Sequence, residues 1–205
     1  MEINVDQIDE VLSTARSVRK NLDFDRPVDR QVLLDCIDVA VQAPVGLGGE
    51  NWRFVVVDDP APKQDIANLY GEILTQLFEQ RGMEMKPTHR ALMDRLHDMP
   101  AMIFVCVDGL PPDDATTSQI GFYGSILPAA WSLMLALRAR NLGTTWTSLL
   151  TARQDDVAKI LGMPEGTLLT VMFPVAHLKG ATLRRAKRDP ATQVTFWNRW
   201  GKHSG

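Results

Sequence analysis

Metal-binding and disulfide chemistry have little to work with in this chain. Its 205 residues include two cysteines, Cys36 and Cys106, with no CxxC pair and no Cys/His spacing. Each lies within an apolar segment, and the expectation is two buried thiols in a reducing cytosol. His89 and His97 stand eight apart with no third ligand nearby, so they read as surface or structural histidines and no metal is expected. Charge of one sign is also scarce. The formal net charge of −3 offers no global attraction to nucleic acid or to an anionic membrane, although a local basic cluster can still hold a phosphate. There is no uninterrupted apolar run of about 18 residues, so nothing is expected to span a bilayer. The acidic start, Met1-Glu2-Ile3-Asn4-Val5-Asp6, lacks an apolar h-region, so no secretory signal is expected and the chain reads as cytoplasmic. Repeats, low-complexity segments and obvious linkers are absent.

What remains is ordinary for a globular protein: 45% hydrophobic residues, 23% charged, and enough length for one domain over residues 1–205 with a substantial core. Helical spacing runs from Val5 to Arg16 through Ile8, Val11, Leu12 and Ala15. The run Arg16, Ser17, Val18 and Arg19 follows. Its cations either offset a helix macrodipole or form an anion site. Asp29 can cap a helix over Arg30–Ala43, and a strand is expected over Phe54–Val57. A helix begins near Lys63 with Ile66, Leu69, Tyr70, Ile73, Leu74 and Leu77 on its apolar positions. Residues 79–98, interrupted by Gly82 and Pro87, read as a less regular excursion with a helix around Arg90–His97.

Ala101–Asp108 is continuously apolar up to its last residue, as a strand buried on both faces should be. The most apolar helix runs from about Gln119 to Asn141. With no charge before Arg138, it should be central and packed on several sides. Asn141 or Gly143 suits its left-handed cap. Thr144–Leu150 favours strand, Arg153–Leu161 helix and Thr167–Val175 a third buried strand. Lys179, Arg184, Arg185, Lys187 and Arg188 then make the densest basic cluster. Trp197 and Trp200 are three apart and can share a helix face that docks on something. Few strands and long helices indicate α+β, with helices around a small sheet.

The stretch Ala43–Phe54 carries Gly46, Gly48 and Gly49 and leads from a helix into a strand. Glycines that cradle a nucleotide phosphate run the other way, from strand into helix, and Asn51 replaces the third glycine of G-x-G-x-x-G. A dinucleotide or P-loop reading therefore fails on direction and on spacing.

Several marks fall in one order: Arg16-Ser17-Val18-Arg19, then Ala43-Pro44-x-Gly46, then Asn51-Trp52-Arg53-Phe54. Leu142-Gly143-Thr144-Thr145-Trp146, the turn Leu161–Gly166 and the closing Trp197-Asn198-Arg199-Trp200 complete the series. Over essentially its whole length the chain resembles the nitroreductase family of FMN-dependent oxidoreductases. The resemblance implies a nitroreductase-like α+β fold with a small mixed, antiparallel-centred sheet flanked by helices. It also implies an intertwined homodimer with two FMN sites at the interface, the apolar helix between subunits and residues 189–205 wrapping the partner. Arg16, Ser17, Val18 and Arg19 would hold the flavin's phosphate, ribityl chain and pyrimidine edge. Lys187 and Arg188, with Arg185, would complete the phosphate site. Pro44, Val45 and Gly46 would approach the isoalloxazine of the other subunit's flavin, and Thr147, Ser148 and Leu149 would lie against its opposite edge, near N5. The chemistry would belong to the cofactor, with NADH or NADPH as donor, a nitroaromatic or quinone as acceptor and no catalytic side chain.

The chain departs from the family pattern in the same loop. Val45 stands where a hydroxyl residue is usual, Gly48 where Asn is common and Glu50 where Gln is common. An ionised Glu50 close to the flavin would disfavour its reduction; paired with Arg53 or a partner-chain Arg, it would have no redox role. Ala176-His177 replaces a frequent Gly-aromatic pair, and His177 reads as structural. Residues 79–98 are the one candidate lid for a specialised branch such as dehalogenation, enoyl reduction or flavin fragmentation, and the changes at Val45, Gly48 and Glu50 leave open a flavin-binding module with little turnover.

Overall fold

The computed structural model describes residues 3–46 and 49–203. Two compact units emerge, one of residues 15–181 and one that joins residues up to 14 with those from 182 onward.

In the larger unit the chain forms β1 (Leu22–Asp23), α2 (Arg30–Ala40), β2 (Trp52–Val57), α3 (Pro60–Gln80), α4 (Pro87–Arg95), β3 (Ala101–Asp108), α5 (Thr116–Ala139), β4 (Leu142–Thr144), α6 (Gln154–Leu161) and β5 (Thr167–Leu178), after α1 (Val5–Thr14) in the smaller unit. The sheet runs β1-β5-β3-β2, with β4 also paired to β5, and every pairing among the described residues is antiparallel. The register places Ile103 opposite Phe173 and Val55 opposite Phe104. β3 is buried along nearly its whole length, as its apolar run requires.

Caps set the helix starts. Asp29 accepts a hydrogen bond from the Gln31 N–H at 2.8 Å, and Asp59 accepts one from the Ala61 N–H at 3.0 Å. Pro60 fills the first position of α3, so that helix starts three residues before Lys63. α2 stops at Ala40, and the chain turns through Val41–Ala43 before the glycine loop. Asn141, with φ of 58°, takes the left-handed position after α5. Trp52 is already in β2, paired with Val107, so this strand starts two residues before Phe54.

Three further differences concern the site. β5 extends to Leu178 because β1 and β4 both hydrogen-bond its end, and His177 sits inside it opposite Asp23 and Leu142. Thr144–Leu150 is strand only at its start. Thr147 bridges to Met172, and Leu149–Arg153 forms a 3₁₀ turn. Residues 79–98 are less loose than their composition suggests. α3 continues to Gln80, α4 begins at Pro87, and Leu92 and Leu96 are fully buried.

One core fills the space between α2, α5 and the sheet, with Leu33, Cys36, Ile103, Leu133, Leu137 and Phe173 at its centre. By length and composition α5 could cross a membrane, yet Ile126, Ala129, Ala130, Leu133, Met134 and Leu137 are buried in this core. Its remaining surface is not covered: Ile120 is 67% exposed and Trp131 40%. Gly143 lets β1 and β5 close over β4, since a Cβ there would meet Leu22 Cδ2 at 2.6 Å and Leu178 Cδ2 at 2.7 Å. Cys36 and Cys106 are buried free thiols. Burial, with help from the Asp108 charge, pushes the Cys106 pKa up to about 12.

In the smaller unit α1 leaves Val5, Ile8 and Leu12 exposed. The tail holds α7 (Ala191–Val194) and then curls, with the Phe196 ring 4.7 Å from both Trp200 and His203. Trp197 and Trp200 share a turn rather than a helix face, and Trp200 is 90% exposed.

Candidate flavin site

The segment after α1 is pinned by its backbone. The Val18 N–H donates to the Thr144 carbonyl at 2.8 Å, and the Thr145 hydroxyl donates to the Val18 carbonyl at 2.8 Å. Arg16–Arg19 and Thr147–Leu149, about 130 positions apart in the chain, are thereby brought to one end of the sheet. Thr147 is fixed in turn by a reciprocal pair of backbone bonds with Met172, at 3.2 and 2.8 Å. Arg16 is exposed, Ser17 half-buried and Val18 buried. Val18 is thus the anchor of the run, and its neighbours on either side carry the polar groups.

Arg19 is the unusual member. Its Nε is buried and has no hydrogen-bond partner among the described residues. A buried guanidinium N–H left unpaired costs about 1–3 kcal/mol, so its position is explained best by an acceptor that binds there. Two side chains missed by the sequence reading lie in its field. Tyr70 of α3 is buried, which raises its pKa, while the Arg19 charge and a side-chain hydrogen bond with Thr147 lower it. His89 of α4 has its pKa lowered, first by burial and then by the Arg19 and Lys86 charges. In the sequence Tyr70 is one apolar position of a helix face and His89 a surface or structural histidine; no local signal links either to Arg19.

The Ala43–Asn51 loop is anchored on α5. The Gly46 N–H donates to Ser125 Oγ at 3.0 Å, and that hydroxyl donates to the Gly121 carbonyl at 3.0 Å. A Cβ at Gly46 would lie 2.9 Å from Ser125 Oγ, so this close approach requires glycine. Gly46→Ala should push the loop off α5 at a cost of about 1–3 kcal/mol. In a Ser125→Ala background the same change should cost less, which a double-mutant cycle of unfolding free energies measures. Equal costs in both backgrounds would mean that the loop does not rest on Ser125.

Pro44 and Val45 are exposed, and a cavity of about 410 Å³ opens between Gly46, Asn51, Pro112, Gly121 and Phe122. Asn51 closes the loop by donating from Nδ2 to the Asp108 carbonyl at 3.0 Å, while its own carbonyl accepts from the Asp108 N–H at 2.8 Å. Arg53 pairs with Asp108 at 2.7 Å, and Thr167 donates to the same carboxylate at 3.1 Å. Arg53 is thus engaged by Asp108, and Glu50 is exposed. Gly48, the third departure from the family pattern, lies outside the described residues.

A second cavity, of about 530 Å³, is lined by Tyr123, Trp146, Ser148, Gln154 and Thr170, which puts Ser148 on its wall. The Trp146 ring meets Phe173 edge-on, with centroids 5.5 Å apart. Arg185, Lys187 and Arg188 are exposed in the smaller unit, in a stretch that is neither helix nor strand. Among the described residues no three metal-ligating side chains gather, and His97 contacts Asp98 at 3.3 Å.

The Nitroreductase family matches this chain over residues 12–177. The protein belongs to the nitroreductase family. Iodotyrosine deiodinase 1 of Rattus norvegicus is 27% identical over 205 residues, a match covering 95% of this chain and 70% of the relative. The crystal structure of an oxidised iodotyrosine deiodinase bound to FMN and 3-iodo-L-tyrosine superposes with a TM-score of 0.68 at 20% identity, covering 90% of this chain and 96% of that one. The NADPH:FMN oxidoreductase of Vibrio harveyi, complexed with NAD+, gives a TM-score of 0.71 at 17% identity over 97% and 80% of the two chains. These structures share the nitroreductase fold with this α+β chain.

Proposed function

We propose that this nitroreductase-family protein is an FMN-dependent oxidoreductase that uses NADH or NADPH to reduce a small organic acceptor such as a nitroaromatic or quinone. The observation that carries the reading is the buried, unpartnered Arg19 Nε, next in the chain to Val18, which is bonded to Thr144 and Thr145. The residues present fit an FMN. Arg16, Ser17 and Arg19 offer donors for its phosphate, ribityl chain and pyrimidine edge, and Thr147, Ser148 and Leu149 would lie against its opposite edge, with the Thr147 and Leu149 N–H groups already engaged by the Met172 carbonyl and the Thr147 hydroxyl. Arg185, Lys187 and Arg188 are the exposed cations that would complete the phosphate site. When bound, the flavin would accept a hydride from the nicotinamide and pass it to the acceptor. The protein's part is to hold and orient both molecules and to supply N–H groups and cations where negative charge develops.

We infer that two copies pair, with the exposed Ile120 and Trp131 of α5 between them and the loop at Pro44, Val45 and Gly46 facing the flavin of the other subunit. The tail from Asp189, with Val194, Trp197 and Trp200 exposed, would wrap the partner. The deiodinase relatives favour a second reading, reductive dehalogenation of an aromatic substrate, with residues 79–98 as its lid.

Purification tests the first reading: the protein should be yellow, and NADH or NADPH should bleach it without oxygen. A colourless protein that FMN cannot reconstitute overturns both readings. A panel of nitro, quinone and halophenol acceptors separates them. Glu50→Gln should raise the midpoint potential of the bound flavin by roughly 10–30 mV, since Glu50 is exposed and Arg53 is engaged by Asp108. A spectroelectrochemical titration with no change would put Glu50 out of range of the flavin.

A further inference from the structure

The cavity of about 410 Å³ beside the glycine loop has no charged side chain among the described residues that line it. Its polar groups are already engaged within the protein. Ser125 Oγ is shared between the Gly46 N–H and the Gly121 carbonyl, and Asn51 gives Nδ2 to the Asp108 carbonyl. Pro112 and Phe122 add apolar surface. A ligand there gains apolar burial and meets no counter-ion, so a charge on it would be desolvated without compensation.

Just outside this wall the charge is negative. Asp113 follows Pro112 in the chain, and two hydrogen bonds tie it to the start of α5. Its Oδ1 accepts from the Ala115 N–H at 2.8 Å, and its carbonyl accepts from Gln119 Nε2 at 2.9 Å. The same helix carries Ser118, Gly121, Phe122 and Ser125 of the wall, so the carboxylate is fixed to the element that shapes the cavity. Hydrogen bonds from Ser118 and from the Ala115 N–H hold its pKa below the ordinary carboxylate value, which keeps it ionised at neutral pH. Asp108, by contrast, is paired with Arg53 at 2.7 Å. The first turn of α5 opposes Asp113 with the positive end of a helix dipole, about half a unit charge against a full one, so the balance is negative. We propose that Asp113 is a specificity-determining residue of an acceptor site in this cavity, which takes an uncharged aromatic ring and turns away the same ring bearing a carboxylate. Turnover of that ring rests on the flavin reading, with the acceptor entering beside the loop at Pro44–Gly46; binding of the ring does not.

Para-nitrobenzyl alcohol and para-nitrobenzoate differ at one substituent and serve as probes. With NADH or NADPH, kcat/KM should favour the alcohol, and added salt should shrink that preference. Asp113→Asn keeps the oxygen that accepts from Ala115 and removes the charge. It should lower the alcohol-to-benzoate ratio about 2- to 5-fold, whereas a merely structural loss would lower both rates and leave the ratio. Gly121 lines the cavity, and a Cβ there would meet nothing within 4 Å, so Gly121→Leu should fill the space and weaken both rings. Saturation-transfer NMR gives the two Kd values without turnover. If NADH and NADPH leave the protein unreduced, the flavin reading falls, and the Kd ratio in wild type and D113N decides the role of Asp113. A ratio that Asp113→Asn leaves in place overturns the proposal. So does a wild type that prefers the benzoate, which would mean that the α5 N-terminus outweighs Asp113. Failure of the alcohol to bind, or binding that Gly121→Leu leaves unchanged, overturns it as well.

Discussion

Arg19→Met should stabilise the empty protein and weaken its hold on FMN. The two effects have opposite signs because they arise from the same buried Nε. With no acceptor present, the N–H is desolvated and unpaired, and methionine removes that cost of about 1–3 kcal/mol while keeping an apolar stem. With FMN present, the wild type gains a charged hydrogen bond worth about 1.5–3 kcal/mol, so the variant's Kd should rise roughly 10- to 150-fold. Recovery of flavin fluorescence on dilution reads the Kd, and thermal unfolding of the apoprotein reads the stability. A variant that binds FMN as tightly as the wild type would remove Arg19 from the site. One that binds weakly and is also less stable when empty would show that Arg19 supports the fold rather than the ligand.

Phe173→Ala should cost about 3–5 kcal/mol of stability, as expected for deleting a large, fully buried ring. Phe173 sits on β5 opposite Ile103 and within the core between the sheet, α2 and α5, so little can move in to fill the space. Its ring also supports Trp146 edge-on, and Trp146 lines the 530 Å³ cavity beside Ser148. The loss should therefore reach the site. Phe173→Leu should cost much less because it keeps most of the volume. Denaturant unfolding monitored by far-UV circular dichroism measures both variants. Similar costs for Ala and Leu would mean that the aromatic geometry, rather than volume, is what matters there.

Parts of this architecture were legible in the sequence, and the reason differs from element to element. β3 declared itself because a strand buried on both faces needs an unbroken apolar run, and Ala101–Val107 supplies one. Asp29 and Asn141 were readable because capping is local chemistry between near neighbours. β1 was not readable: two residues form a strand only because the far end of β5 is there to receive them. The same dependence hid the last three residues of β5. α4 looked irregular because only Leu92 and Leu96 of its stretch are fully buried, too few for a clear helical stripe.

At the site, Arg16–Arg19, Pro44–Gly46 and Thr147–Leu149 stood out through their order along the chain. What the order could not supply was the set of side chains around Arg19. Tyr70 and His89, whose proton affinities its charge lowers, belong to helices about 50 and 70 positions away, and nothing in their own neighbourhoods records it. Ser125 lies in the most apolar helix, where nothing local marks it. Its hydroxyl, shared between Gly46 and Gly121, is what holds the loop.

β5 receives β1, β3, β4 and the Thr147 bridge, so nearly every strand contact beyond the β2–β3 pair waits for it. A nascent chain emerging from the ribosome can therefore form the antiparallel β2–β3 pair and the helices beside it, but it must be made almost to residue 178 before β3 has its second neighbour. Until then one long edge of the most apolar strand is bare, an interval in which such chains are prone to associate wrongly. The interval ends only when β5 itself has been made and can take its place beside β3.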